Sequence, residues 1–303
     1  MTAQSNVAIL DDRTKELIKS RSHWQRAFMR LRRDRLTLLA IGVMVVLTVC
    51  TIFADPISRY IIHQDPVAEN LSNILAKPSA DHLLGTDHKG RDMLSRLLFG
   101  GQISLQVGFF AAALSIIIGV TLGLVTGYYG GLVDDFSNWF VTTLTSILSL
   151  FLLLIIASVL SAGPVTMILV LGLIGWTGTM RLVRGQTLAL REREFVIAAK
   201  AMGSSDIRLM ALHIFPNLIS IVIITLAIDI GGLILTESAL SFLGFGISPP
   251  DPSWGNMLNN AQEYFTNAPL MVLAPGALIT ITVLCLYIIG DGVRDALDPT
   301  INP

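Results

Sequence analysis

The sequence predicts an all-α membrane protein with six spanning helices and an amphipathic N-terminal helix ahead of the first. The mean hydropathy is +0.67. Of the 303 residues, 52% are hydrophobic and 14% charged, where soluble domains carry about 25% charge. The deficit is not spread evenly. It lies in long runs nearly free of ionisable side chains, each near the ~20 residues that a bilayer-crossing helix needs.

Those runs are 36–54, 105–126, 136–160, 165–180, 218–240 and 270–289. The fourth is the weakest, because Gly172, Gly175 and Gly178 dilute it. Gly163-Pro164 supplies the turn that separates it from the third. Basic residues set the orientation. Nine precede Leu36, six lie between Arg181 and Asn217, and one follows the last span, against five between Asp55 and Gly101. The excess marks the cytoplasmic face, so both termini are expected there. The organisation is then a cytoplasmic tail over 1–35, a first span over 36–54, an outer loop over 55–101, a core of five spans over 102–291 and a cytoplasmic tail over 292–303. The first 35 residues are too long and too charged for the leading region of a cleaved signal, so the first span is expected to stay as an anchor. Cys50 and Cys285 both fall inside spans and read as small apolar fillers, not as a disulfide.

Within 21–35, Trp24, Phe28 and Leu31 recur at helical intervals, with Arg26, Arg30 and Arg33 elsewhere around the turn. This predicts a surface helix leading into the first span; a basic tail that only fixes topology is the alternative. In the outer loop, Gly85, Gly90 and Gly100 suggest bends, and Asp92 is placed to cap a short helix over 93–99. Asp81, His82, Asp87 and His88 are ligand-type side chains, but their spacing fits no metal signature, and capping or solvation is the expected role. Gly123, Gly127, Gly130 and Gly131 mark a close helix approach. Asp134 and Asp135 sit where the N-terminus of the third span favours negative charge.

Asp229 and Glu237 are the two ionisable residues inside a predicted span. A carboxylate at that depth must face protein or water. Eight positions apart, the pair shares one face. Either it lines a translocation route and attracts a cationic part of a substrate, or it bonds to neighbouring helices; both readings stay open. Gly231 and Gly232 between them permit a bend. Further on, Pro249, Pro250 and Pro252 forbid a continuous helix. A helix over 253–265, with Trp254, Leu258 and Tyr264 on its apolar side, is expected to lie partly embedded on the outer face.

The charged stretch 191–217 interrupts the apolar second half and must leave the bilayer core. A helix over 194–202 is expected to end at Gly203 in left-handed cap geometry. Ser204 is expected to cap a second short helix, with Asp206 in its first turn and an end near Phe215. Pro216 then restarts the chain toward the fifth span. Two short helices turned back at Gly203 form a knob suited to docking a soluble partner.

These residues resemble the EAA signature of import-type ABC transporter permeases: Glu-Ala-Ala, three residues, Gly, nine residues, then a pair ending in Leu-Pro. Ala198, Ala199, Gly203 and Pro216 match in register. Ile197 stands where the Glu belongs, and His213 and Phe215 replace the usual Ile and Leu. Glu194, one turn earlier, is the candidate substitute for the missing acid. The blocks GTDHKGRDMLSRLLFGGQISL, GYYGGLVDD, SFLGFGISPPDPSWGNML and GDGVRDALDP are similar, in order and spacing, to the second membrane subunit of the oligopeptide, dipeptide and nickel permease group (DppC/OppC type).

The resemblance implies a six-helix permease in the type I ABC importer arrangement, in a bacterial inner or plasma membrane. It implies a second homologous permease, two cytoplasmic ATPases and an external substrate-binding protein as partners. ATP and Mg²⁺ would sit on the ATPases. Glu194, Ala198, Ala199, Gly203, Ser204, Asp206, His213 and Pro216 would form the ATPase-docking set. This chain has no GxxxxGK[ST] loop and no evident nucleophile–base set. No enzyme activity, bound cofactor, metal site or nucleic-acid partner is expected. Di- or oligopeptide import is the leading expectation, with nickel-chelate or other small-solute import as the alternative. A proton-coupled secondary transporter, with Asp229 and Glu237 as relay, is the rival from another class, and a non-transporting membrane scaffold is the bland one.

Overall fold

The computed structural model describes residues 29–160 and 163–297. The described residues are helical and irregular, with one isolated bridge between Thr86 and Asp92. The principal helices are α1 (Arg35–Ile52), α2 (Met93–Tyr129), α3 (Gly131–Ser146), α4 (Ser149–Val159), α5 (Pro164–Arg191), α6 (Glu194–Ala201), α7 (Asp206–Phe242), α8 (Trp254–Leu258) and α9 (Leu270–Leu297). Five of them, α1, α2, α5, α7 and α9, are each long and apolar enough to cross a membrane. The run expected to form the third span is broken instead. α3 and α4 meet at an 81° bend, where Ile147 is extended and Leu148, at φ −58° and ψ 113°, leaves helical geometry.

Side-chain caps start α1, α2 and α8. Asp34 accepts from Leu36 N at 3.0 Å and starts α1. Residues 29–31 are helical ahead of that break; the greater part of the expected surface helix, 21–28, lies outside the described residues. Asp92 accepts from Ser95 N at 2.8 Å and starts α2, as its position suggested. The separate helix over 93–99 does not exist, however. α2 runs unbroken for 37 residues. Gly100 and Gly101 do not break it; they give room to α8. A Cβ on Gly100 would lie 3.2 Å from Ser253 C, and one on Gly101 2.7 Å from the Trp254 ring.

The most extensive packing is α2 against α5, and it is backbone on backbone. A Cβ at Gly119 would lie 2.9 Å from Trp176 O, one at Gly123 2.7 Å from Met180 O, and one at Gly127 2.8 Å from Arg184 O. Glycines four apart on one helix thus meet carbonyls four apart on the other, the close approach that small residues allow in membranes. Gly130 and Gly131 are not part of this seam. With φ of +65° and +54°, they form the turn into α3, a conformation that glycine reaches without a steric penalty.

Two further expectations need correction. The fourth span does not end at 180: α5 continues to Arg191, because Val183 and Thr187 extend its buried face. The helix over 253–265 is α8 followed by a 3₁₀ turn, Ala261–Tyr264, divided at Asn260, whose φ is +58°. α8 starts in a capping box between Ser253 and Asn256. Trp254 is not interfacial; it is 1% exposed and donates from Nε1 to Leu97 O at 2.9 Å. Tyr264 stacks on His88, with ring centroids 5.7 Å apart.

Candidate functional site

Two places in the fold concentrate the expected functional residues: the knob over 191–217 and the carboxylates of α7.

At the knob, Arg191 ends α5 and Arg193 is extended, so α6 leaves at a corner. Val196 and Ala199 bury one face of α6 against Leu209, Ile214 and Leu218. Gly203 follows at φ +86°. Its N–H donates to Lys200 O at 3.0 Å, and Ser204 N–H donates to Ala199 O at 3.2 Å. This bond pair is the Schellman closure, which satisfies carbonyls at a helix end and needs a left-handed residue at the turn. Ser204 therefore serves the end of α6 and not the start of the next helix. Ser205 occupies that N-cap, without a side-chain bond, and Asp206 does lie in the first turn.

The second helix is not short. A π-turn over Leu209–Ile214 carries Asp206–Arg208 directly into Phe215–Phe242. Pro216 does not restart the chain; it stands in the first turn of Phe215–Phe242 inside a continuous α7, where the wider π-turn absorbs its missing donor. His213 is half-buried and Pro216 exposed; His213 O accepts from Asn217 Nδ2 at 2.7 Å.

What the knob presents outward is apolar. Phe195, Ile197, Met202, Ile207 and Leu212 are exposed, Met202 at 81% and Ile207 at 75%. Glu194 and Ala198 are exposed beside them, whereas Ala199 is buried. Beside α6 opens a cleft of about 580 Å³ lined by Tyr128, Tyr129, Arg191, Glu192, Lys200 and Asp206. Exposed apolar side chains beside charged ones are the kind of surface at which proteins associate.

Two ties that sequence reading missed brace this region. Arg184 on α5 holds Asp134 on α3 with two donors, Nη2 lying 2.6 Å from Oδ2. Tyr128 Oη donates to Asp206 Oδ1 at 2.6 Å. The first was foreshadowed by opposite charges at adjacent span ends. The second joins residues 78 apart, and no local pattern announces it.

The α7 carboxylates part company. Asp229 is half-buried and accepts from Thr179 Oγ1 of α5 at 3.0 Å. Glu237 is 0% exposed. It accepts from Ser241 at 2.7 Å, Ser104 of α2 at 3.1 Å and Ser238 at 3.4 Å, and Ser104 Oγ in turn accepts from Trp254 N at 3.2 Å. Glu237 thus fastens α8 to α2 and α7. Within this chain its carboxylate is enclosed by those serines.

In the outer loop, Asp87 pairs with Arg91 at 2.7 Å and Arg96 at 3.5 Å, and His82 Nδ1 lies 3.0 Å from Asp92. Burial first, with the charges of Arg91, Lys89 and Arg96 and against the Asp87 carboxylate, holds the His88 imidazole below its ordinary pKa. Asp81 is exposed. Among the described residues, no three His, Cys, Asp or Glu side chains converge on a common point. These loop residues pin the segment before α2.

A family model described as "Binding-protein-dependent transport system inner membrane component" matches residues 119–303. A second, "N-terminal TM domain of oligopeptide transport permease C", matches residues 22–78. The chain is 37% identical over 279 residues to the dipeptide transport system permease protein DppC of Alkalihalophilus pseudofirmus, covering 92% of this chain and 90% of that one. It is 36% identical over 284 residues to the oligopeptide transport system permease protein OppC of Bacillus subtilis, covering 94% and 92%. It is 37% identical over 282 residues to the glutathione transport system permease protein GsiD of Escherichia coli, covering 93% and 92%. An exposed knob closed by a Schellman turn, five long apolar helices with a broken sixth, and sequence likeness over nine-tenths of the chain agree: the protein belongs to the family of inner membrane components of binding-protein-dependent transport systems, as a permease subunit and not an enzyme.

Proposed function

We propose that this chain is one of two permease subunits in an ATP-driven importer of di- or oligopeptides, which an external binding protein delivers. It works with a homologous permease and two cytoplasmic ATPases. The observation that carries the reading is the exposed apolar side chains of the knob, Phe195, Ile197, Met202 and Ile207, which none of the described residues covers. The peptide assignment rests on the relatives, which are named for dipeptide, oligopeptide and glutathione transport.

Glu194, Ala198, Gly203 and the residues around them meet the ATPases at the cytoplasmic face. ATP closes the two ATPases on each other and carries the knob with them. α7 has no break between Asp206 and Phe242, so displacement of the knob tilts it as one body and changes which side of the membrane the central path opens to. That is a change between two packed states driven by partner binding energy.

Purification of the tagged chain from native membranes in mild detergent tests the reading. Two ATPase chains and a second permease should accompany it, and uptake into vesicles should need ATP. Recovery of the chain alone, where control complexes survive, or uptake driven by a proton gradient without ATP, overturns it. Asp229, half-buried and bonded to Thr179, is the candidate for a cation-attracting group on the path. Asp229→Asn should lower uptake of peptides with a free amino terminus several-fold while N-acetylated peptides are less affected. Equal kinetics for both classes remove Asp229 from the path.

A further inference from the structure

The knob is tied to a third helix, one that is not adjacent to it in sequence. α2 ends at Tyr129, and its last turn lies against the knob. Tyr128 is 6% exposed and packs with Val196, Ala199, Leu209 and Ile214. Its hydroxyl donates to Asp206 Oδ1 at 2.6 Å, and its carbonyl accepts from Arg191 Nη1 at 2.9 Å. Arg191 is the last residue of α5 and Asp206 the first of α7. One residue of α2 therefore grips the knob twice, where α5 enters it and where α7 begins. A hydroxyl on a carboxylate is among the stronger neutral-to-ion hydrogen bonds.

α2 reaches far. Its 37 residues extend about 55 Å at ~1.5 Å each. Near its other end Ser104 bonds Glu237 and Trp254 N, and the Leu97 carbonyl accepts from the Trp254 indole. The helix that meets the knob is thus the helix to which the opposite face is fastened. Along its length, the glycine seam locks it to α5 at backbone contact.

We propose that Tyr128 is a positioning residue for coupling, and that its bond to Asp206 makes α2 the rod joining the ATPase-facing knob to the face where the binding protein docks. The inference rests on the importer reading. Without the bond, α2 would still follow α5 through the glycine seam, but its side-chain tie to the start of α7 would be gone, and news of a docked binding protein would reach the knob weakly.

The test uses the complete transporter in lipid nanodiscs, with ATP hydrolysis measured before and after addition of its binding protein. Stimulation is expressed relative to each variant's own basal rate. Tyr128→Phe keeps the buried ring and loses the hydroxyl. Its stimulation should fall about tenfold, the scale of a lost hydrogen bond to a carboxylate. Asp206→Ala should fall equally, and the double variant no further than either single one, because both remove the same bond. Asp206→Asn, which still offers an oxygen to Tyr128, should retain most of the stimulation. Stimulation of Tyr128→Phe within about twofold of the parent overturns the proposal, as does a double variant whose losses multiply. If Tyr128→Phe fails to assemble, the Asp206→Ala and Asp206→Asn pair decides by the same criterion. If the parent complex itself shows no stimulation, the importer reading fails instead.

Discussion

Leucine at Gly127 should nearly abolish recovery of folded chain from solubilised membranes, whereas leucine at Gly42 should leave it unchanged. Both positions lie in long apolar helices, and both substitutions add the same apolar side chain. They differ in what the side chain meets. A Cβ at Gly127 would stand 2.8 Å from Arg184 O and 2.7 Å from Thr187 Cβ, whereas one at Gly42 meets nothing within 4 Å. Overpacking a core costs about 1–3 kcal/mol where side chains can give way, and here the obstacle is a carbonyl fixed within α5. Relief requires the two helices to part. That would open the same approach at Gly119 and Gly123 and draw Arg184 away from Asp134. Monodisperse yield and melting temperature in one detergent measure the effect. Wild-type values for Gly127→Leu would show that the seam is not closed in the membrane.

That the chain is all-helical with several long apolar spans was legible because a bilayer demands long apolar runs and the sequence supplies them; the third of the six expected runs is instead bent by 81° into two helices. The ends of those spans were less legible, since tertiary partners set them. Gly100 and Gly101 look like a helix break until Trp254 is seen resting on them. Residues 181–191 look like the start of a loop because of their arginines, yet Arg184 is answered by Asp134, and the helix continues. The bend between α3 and α4 carries no Pro or Gly, so no local signal announced it. At the knob, the left-handed Gly203 and the first-turn Asp206 followed from local chemistry. The role of Ser204 did not, because the same hydroxyl residue fits an N-cap or the end of a Schellman turn, and only the 3.2 Å bond to Ala199 O separates them. Glu237 illustrates a different limit: a carboxylate in an apolar run announces a partner, but not that the partners would be Ser104, Ser238 and Ser241.

Gly203 is where local backbone chemistry should have its largest effect on transport. Its φ of +86° lies in the region that costs an L-residue roughly 1–2 kcal/mol. A Cβ there meets nothing within 4 Å, so the penalty of substitution is conformational alone. Gly203→Leu should insert and accumulate normally but lower uptake at least about tenfold, while ATP hydrolysis continues, because relief of that strain breaks the Schellman bonds and re-aims α6 against the start of α7. Phe195, Ile197 and Met202 would then no longer share one surface with Ile207. The side chains that replace glycine should rank by their tolerance of the left-handed region. Asn, which visits it readily, should transport close to the parent level; Leu should be impaired; and β-branched Val should be worst. Uptake per ATP hydrolysed, measured for the three variants in vesicles, tests the order. Equal impairment in all three would mean that the exposed position itself is touched by the partner. Normal uptake with normal ATPase stimulation in Gly203→Leu would remove the turn from the coupling mechanism. The ranked order leaves backbone geometry as the cause, since the three side chains share an open site and differ in the cost of a positive φ.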